Sequence, residues 1–249
     1  MIATKQKRNA RRPDGVLLAT VQGWSHRPGD EVRIVATNLS RASANRKTGD
    51  VCQVWTIPVA GLVGAQTHAC GSCPLMPKSE GGQGGCYVTK LFITAPARLA
   101  ANGDYPAWDG DISLFDRLHV RFGAWGDPCL IPLPIVERIA RASRGWMGYT
   151  HEWRRPECQP YARYFMASVH SPPEAELAAR MGWRWFLTPR GQQIGELPGR
   201  VVTCQHDING TQCRDCRLCD GTSRGTERVN VTNTPHGSRS ALSTWENAT

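Results

Sequence analysis

The chain lacks any apolar run near the ~20 residues needed to cross a bilayer. Its first residues, Met1 to Pro13, are basic and polar with no apolar core of a secretion signal, so a cytoplasmic location is expected. No exact internal repeat is visible, and neither a helix-turn-helix nor a single-stranded-RNA signature is present. Convergent carboxylates are also scarce, which argues against the two-metal chemistry that clustered acids support.

What remains is a 249-residue chain with 40% hydrophobic residues, enough for one core or one domain with a small appendage. Net charge is +9 and the pI is near 9.3, a balance that favours polyanions such as nucleic acid or nucleotides. Lys5, Lys7, Arg8, Arg11 and Arg12 make a basic head, read as part of a partly flexible arm over residues 1–30. There are ten cysteines, seven of them in two tight clusters. Without a secretion signal, that clustering points to metal rather than to disulfides.

The first cluster, Cys70-Gly-Ser-Cys73-Pro to Gly84-Gly-Cys86-Tyr87, has the spacing C-x2-C-x12-C. Thiolates gathered in a Gly-rich loop suit a soft metal or an iron–sulfur cluster. Three ligands leave one position open, as reactive sites do, whereas structural zinc is closed by four. The competing reading is a zinc knuckle completed by His68. The second cluster is Cys204, Cys213, Cys216 and Cys219, whose C-x2-C-x2-C run resembles ferredoxin-type loops. Cys52, Cys129 and Cys158 are expected to be unligated, with Cys129 a candidate fourth ligand at the first site.

Strand-like runs at Val32–Thr37, Cys52–Ile57, Leu118–Phe122, Gly145–Thr150, Tyr164–Val169 and Trp183–Leu187 bracket helical patterns. The helices are expected over Tyr87–Asn102 (kinked or split at Pro96), Pro134–Ser143 and Pro172–Met181. Strands alternating with helices predict an α/β fold with a parallel sheet, in the form of an incomplete (β/α) barrel over residues 31–200. A four-cysteine segment over 201–237 and a flexible tail over 238–249 complete the expected layout. Asn45 to Asp50 reads as a turn, and Val229–Thr232 as a last strand.

Polar and Gly-rich stretches follow the strands, the ends where parallel sheets bind ligands. The cysteine loop, Gly123 to Asp127 and His151 should therefore meet on one face. Asp127, Tyr149 and His151 are candidate catalytic residues, and Gly123, Gly126 and Asp127 are candidate cofactor contacts. Asp127 has a plainer reading as a turn residue or helix cap before Pro128. His151 has one as a buried histidine bonded to a neighbour such as Glu152, itself otherwise a surface carboxylate. Tyr149 and Trp153 are expected to flank His151 and line a pocket.

Together these motifs, with Asn45-x-Lys-Thr-Gly-Asp, Arg121-Phe-Gly-Ala-x-Gly-Asp-Pro, Gly148-Tyr-Thr-His-x-Trp and Met166-Ala-Ser-Val, resemble an uncharacterised family encoded in tailed phages and prophages. The resemblance spans roughly residues 45–237. That layout is in turn similar to the radical S-adenosylmethionine (SAM) enzymes. The likeness implies a [4Fe–4S] cluster on Cys70, Cys73 and Cys86 with one iron open to SAM, and Gly126-Asp127-Pro128 where a Gly-Gly-Glu-Pro-like turn meets the SAM amino group. It also implies an electron donor, a second cluster on the C-terminal cysteines, and a bacterial host cytoplasm. The usual radical-SAM spacing is C-x3-C-x2-C, from which this loop departs. From another class comes a zinc-stabilised nucleic-acid-binding protein without catalysis, and a third option is metal-dependent hydrolysis through Asp127, His151 and Glu152.

Overall fold

The computed structural model describes residues 13–43, 45–86, 88, 90–189, 195–225, 229–235 and 239–246. The basic head, Tyr87 and His236-Gly237 lie outside the described residues. The strands are β1 (Gly15–Gln22), β2 (Glu31–Thr37), β3 (Cys52–Pro58), β4 (His119–Phe122), β5 (Gly145–Met147), β6 (Tyr149–Thr150), β7 (Met166–Val169), β8 (Trp185–Leu187), β9 (Val201–Thr203) and β10 (Asn230–Thr232). The helices are α1 (Gln66–Cys70), α2 (Lys90–Ala101), α3 (Leu133–Ala142), α4 (Pro172–Arg180), α5 (Gln205–Asn209), α6 (Cys213–Cys216) and α7 (Arg239–Glu246).

They form a mixed α/β structure with two sheets, ordered β1-β2-β3-β4-β5 and β6-β7-β8-β10-β9. From β3 onward every pairing is parallel, as the alternation of strands and helices predicts. The exceptions are β1 and β2, which pair antiparallel with each other and with β3. No helix intervenes at either connection, and without a crossover the chain can only turn back antiparallel. β1 also corrects the expectation of an arm over residues 1–30, because Gly15–Gln22 is paired along its length with β2.

The two sheets meet at Gly148, the single residue between β5 and β6. Its N–H donates to the carbonyl of Cys219 at 3.2 Å, while its own carbonyl accepts from the Met166 N–H at 3.0 Å. A side chain there would sit 2.6 Å from the Phe165 ring. Glycine is therefore required by the Phe165 ring, and its N–H ties this junction to the second cysteine loop. No pairing joins β1 to β9, so the sheet edges do not close among the described residues.

β3 is buried at every position, as a strand covered on both faces must be. α3 turns Val136, Ile139 and Ala140 inward. α4 starts at Ser171, whose side chain accepts from the Glu174 N–H, with prolines in its first turn. α2 passes through Pro96 as one helix. The carbonyl that proline leaves without a partner belongs to Phe92, which is exposed, so water can satisfy it. The tail expected to be flexible from residue 238 instead carries α7, with Trp245 buried. None of the described helices is long and apolar enough to cross a membrane.

Candidate metal centres

The first cysteine loop is folded by its own backbone and by two carboxylates. Glu80 accepts from the N–H groups of Gly64 (2.6 Å) and Gln66 (3.1 Å), drawing the loop back on itself. Cys73 N–H donates to the Cys70 carbonyl at 3.1 Å and Met76 N–H to the Cys73 carbonyl at 3.3 Å, so C-x2-C lies on successive turns. Gln83 and Gly84 then bond back to Pro74 and Met76, which returns the chain with Cys86 toward the other two. Burial of the sulfur raises the Cys70 thiol well above its usual range, and the neighbouring Cys73 and Cys86 add to the shift. Cys73 is raised by burial in the same way, with Cys86, Asp127 and Glu152 contributing. The largest influences on these sulfurs among the described residues are burial and other acids, and a bound metal would reverse that balance by deprotonating its thiols. All ten cysteines are free of disulfides.

Glu152 is the residue the sequence reading undervalued. It is neither a surface carboxylate nor the partner of His151, being 1% exposed. One oxygen accepts from the Ser72 N–H (2.5 Å) and hydroxyl (2.8 Å), between Cys70 and Cys73. The other pairs with Arg155, whose guanidinium lies over Trp24. Gly71, at φ 59°, has no room for a side chain, since a Cβ would fall 2.4 Å from the Glu152 oxygen.

Asp127 joins three elements. Its N–H donates to the Ala69 carbonyl at 2.7 Å, fastening the turn after β4 to α1. Its carboxylate accepts from the N–H groups of Cys129 and His151 (both 2.9 Å) and from the Thr150 hydroxyl (2.8 Å). The helix-cap reading is thus what the carboxylate does, and both oxygens are engaged. Burial, then Glu152, push its pKa up to about 7, while those three donors pull the other way. Gly126 packs at φ 76° on Thr56, where a Cβ would lie 1.7 Å from the hydroxyl, and Gly123 at φ 69° meets Pro128. Both glycines shape the turn that carries Asp127.

His151 bonds not to Glu152 but to His170, Nε2 to Nε2 at 3.0 Å. His170 Nδ1 faces the Thr188 carbonyl at 3.1 Å, an acceptor only, so that nitrogen carries the proton. In the neutral His170 ring Nε2 then accepts, and His151 donates from Nε2. Burial holds His151 well below the usual histidine range, with His170 and Arg154 adding to the shift. A depressed histidine contributes stability above its unfolded pKa and loses it as pH falls. Acidification below about pH 6.5 should therefore destabilise the wild type more than His151→Gln, read as the difference between their denaturation midpoints across pH.

Trp245 of α7 meets His170 edge-on at 4.6 Å, and Gly84 in the cysteine loop abuts Thr244. α7 thus packs beside this site. His68, the candidate for closing a zinc knuckle, lies within charge-sensing reach of Asp30 on the β1–β2 hairpin. Cys129 is buried in hydrogen-bond contact with Cys158 and Thr150.

The second site is organised from outside. Asn45 Oδ1 accepts from the N–H groups of Lys47 and Thr48, both at 3.1 Å, and the turn so formed presents its carbonyls to the Cys213 N–H (3.1 Å) and the Arg214 N–H (3.2 Å). Cys204 N–H is held by the Thr232 carbonyl at 2.7 Å, and the Cys219 carbonyl by Gly148. All four cysteines line one cleft, floored by Met147, Tyr149, Phe186 and Val231. In β8, Phe186 faces this cleft while the buried Trp185 and Leu187 point to the opposite face. Burial, with Cys204 next, pushes Cys213 up to about 11, while Arg121 and Lys47 oppose it. Burial also raises Cys219, against the hydroxyl of Tyr149, which donates to its sulfur.

Tyr149 therefore belongs to the second site, not beside His151. Trp153 lines no pocket with it either: its ring is fully buried and its indole N–H donates to the Ser168 carbonyl at 3.1 Å.

Among the described residues, no three His, Cys, Asp or Glu side chains stand close enough to grip a bare metal ion. A four-iron cluster needs its thiolates farther apart than one ion does, because iron and sulfide stand between them. Both sets are thiols free of disulfides, Cys86 being exposed and the other six half-buried. Comparison with protein-family models, with curated proteins and with solved structures found no match.

Proposed function

We propose that this chain is an iron–sulfur enzyme of radical-SAM type, acting on a nucleotide, nucleic acid or modified base, with a reducing partner as electron donor. The observation that carries the reading is that Cys70 in the loop after β3, the first parallel strand, feels the charges of Cys73, Cys86 and Asp127, with the Asp127 turn after β4 bonded to Ala69. Continuous parallel pairing from β3 to β4 to β5, resumed from β6 onward after Gly148, supports an incomplete (β/α) barrel.

On this reading Cys70, Cys73 and Cys86 hold a [4Fe–4S] cluster, and Cys204, Cys213, Cys216 and Cys219 hold a second. A three-thiolate cluster supplies an electron and an open coordination position, the combination by which SAM is cleaved reductively. The chain's own residues prepare that site. Glu152 and Asp127 fix the loop from below, and α7 covers part of its rim. His151 keeps its proton on Nε2 and offers Nδ1 as an acceptor for a substrate proton. The nucleotide class rests on the +9 charge and on the phage-family resemblance.

Reduced protein, purified without oxygen and given SAM, should release methionine and 5′-deoxyadenosine. Cys73→Ala should abolish both products. Absence of SAM cleavage in wild-type protein carrying a reduced cluster contradicts the reading.

A further inference from the structure

The end of the molecule away from the first cysteine site gathers arginine. Gly145 opens β5, and a Cβ there would stand 3.4 Å from Nδ1 of His119 and 3.7 Å from both Cδ of Arg217 and a guanidinium nitrogen of Arg224. Arg144 precedes it in the chain. Burial, then the charges of Arg217, Arg144 and Arg214, hold His119 below the usual histidine range, with Asp215 alone among the named neighbours opposing them. Arg224 reaches over the Trp146 ring at 5.6 Å, and Trp146 lies 6.0 Å from Tyr164, over which Arg163 sits at 5.9 Å. Arg144, Arg163, Arg217 and Arg224 are exposed.

The described ion pairs here are Arg214–Asp215 at 3.6 Å and Arg224–Asp220 at 3.4 Å. Asp220 is already committed to the buried Arg184 at 3.1 Å. Gathering like charges this way is unfavourable in the free protein and becomes favourable against a polyanion.

We infer that the surface formed by Arg144, Arg214, Arg217 and Arg224 around Gly145 docks the phosphodiester backbone of a nucleic acid. The permanent cations of this patch are all arginines, whose planar fork matches phosphate oxygens in pairs. No exposed large apolar side chain accompanies them among the described residues: Val63, Phe92 and Ile208 are the ones identified, and a membrane-surface site needs such groups to insert. Trp146 is covered by Arg224 and Tyr164, so base stacking is not its role and recognition should be independent of sequence. The inference extends the proposed function without depending on its metal chemistry.

The test is binding of full-length protein to a fluorescent oligothymidylate of about 30 nucleotides across a salt series, with metal content measured in parallel. Four phosphate contacts to a single strand give a log–log salt slope near −2.8, so affinity should fall roughly 50-fold between about 50 and 200 mM salt. Arg144→Ala with Arg224→Ala should halve that slope to about −1.4, a fall of roughly 7-fold, with metal content unchanged. A double variant that keeps the wild-type slope overturns the inference, as does tighter binding to vesicles of anionic lipid than to the oligonucleotide. Failure of the metal reading would appear instead as absent iron with the salt slope intact.

Discussion

Arg184→Met is expected to cost the fold about 3–5 kcal/mol and, on the proposed cluster reading, to strip metal from the second cysteine site while sparing the first. Arg184 is 3% exposed, and its guanidinium does the work of a bracket. It meets Asp220 at 3.1 Å and donates to the carbonyls of Gly221 (2.7 Å), Leu218 (2.6 Å) and Val229 (2.5 Å). Leu218 and Asp220 flank Cys219 in the chain. Methionine fills much of the volume but donates nothing, so the buried Asp220 loses its closest cation, keeping the Arg224 pair at 3.4 Å, and three carbonyls lose this donor. Against a typical total stability of 5–15 kcal/mol, that loss is large. Arg184→Lys should fall between, since one ammonium cannot span that fork. Denaturant titration reads the first effect, and iron per chain reads the second. A variant of wild-type stability with full metal content would mean that the bracket carries little load.

Asp127→Ala is expected to cost about 3 kcal/mol and, on the proposed cluster reading, to lower iron at the first site. It removes one buried acceptor that serves two backbone N–H groups and the Thr150 hydroxyl. The turn then loses its hold on β6, and α1 loses a neighbour fixed through Ala69. Asp127→Asn keeps the shape but sets an amide N–H against donors on one side, so a smaller loss is expected. The two variants also differ in pH response. With the folded carboxyl pushed up to about 7 by burial and Glu152, the native state holds a proton that the unfolded chain releases near pH 4. Wild-type stability carries from this group a decline as pH rises from about 4 to about 7, and Asp127→Asn should remove that decline. An identical pH profile for wild type and Asp127→Asn would show that the carboxyl titrates normally.

The parts of this fold that could be read from sequence are those with a strong local pattern. β3 reads as an apolar β-branched run, α3 by its spacing, and α4 by its prolines, the acids Glu174 and Glu176 of its first turn and Gly182 past its end. β9 escaped notice because three residues, two half-buried and one exposed, carry no usable periodicity. α7 escaped because one buried side chain, Trp245, anchors an otherwise polar tail. Tyr149, expected beside His151 from its nearness in the chain, is instead bonded to Cys219, a partner seventy residues on.

At the sites, cysteine spacing announced both thiol clusters, but their supports were silent. Glu152 is a lone carboxylate whose importance lies in burial against Ser72, a contact eighty residues distant in the chain. The His151–His170 pair left a faint trace: each histidine directly follows one of two adjacent parallel strands, β6 and β7. Arg184 gave none, since an arginine between two tryptophans signals nothing until the loop it brackets folds over it.

Iron, acid-labile sulfide and zinc per chain, measured on protein purified without oxygen and paired with electron paramagnetic resonance after reduction, test the account most directly. Two four-iron clusters predict about eight iron and eight sulfide per chain, falling by half when Cys70, Cys73 and Cys86 are replaced together by alanine. Stoichiometric zinc with no iron and no paramagnetic signal would contradict the account.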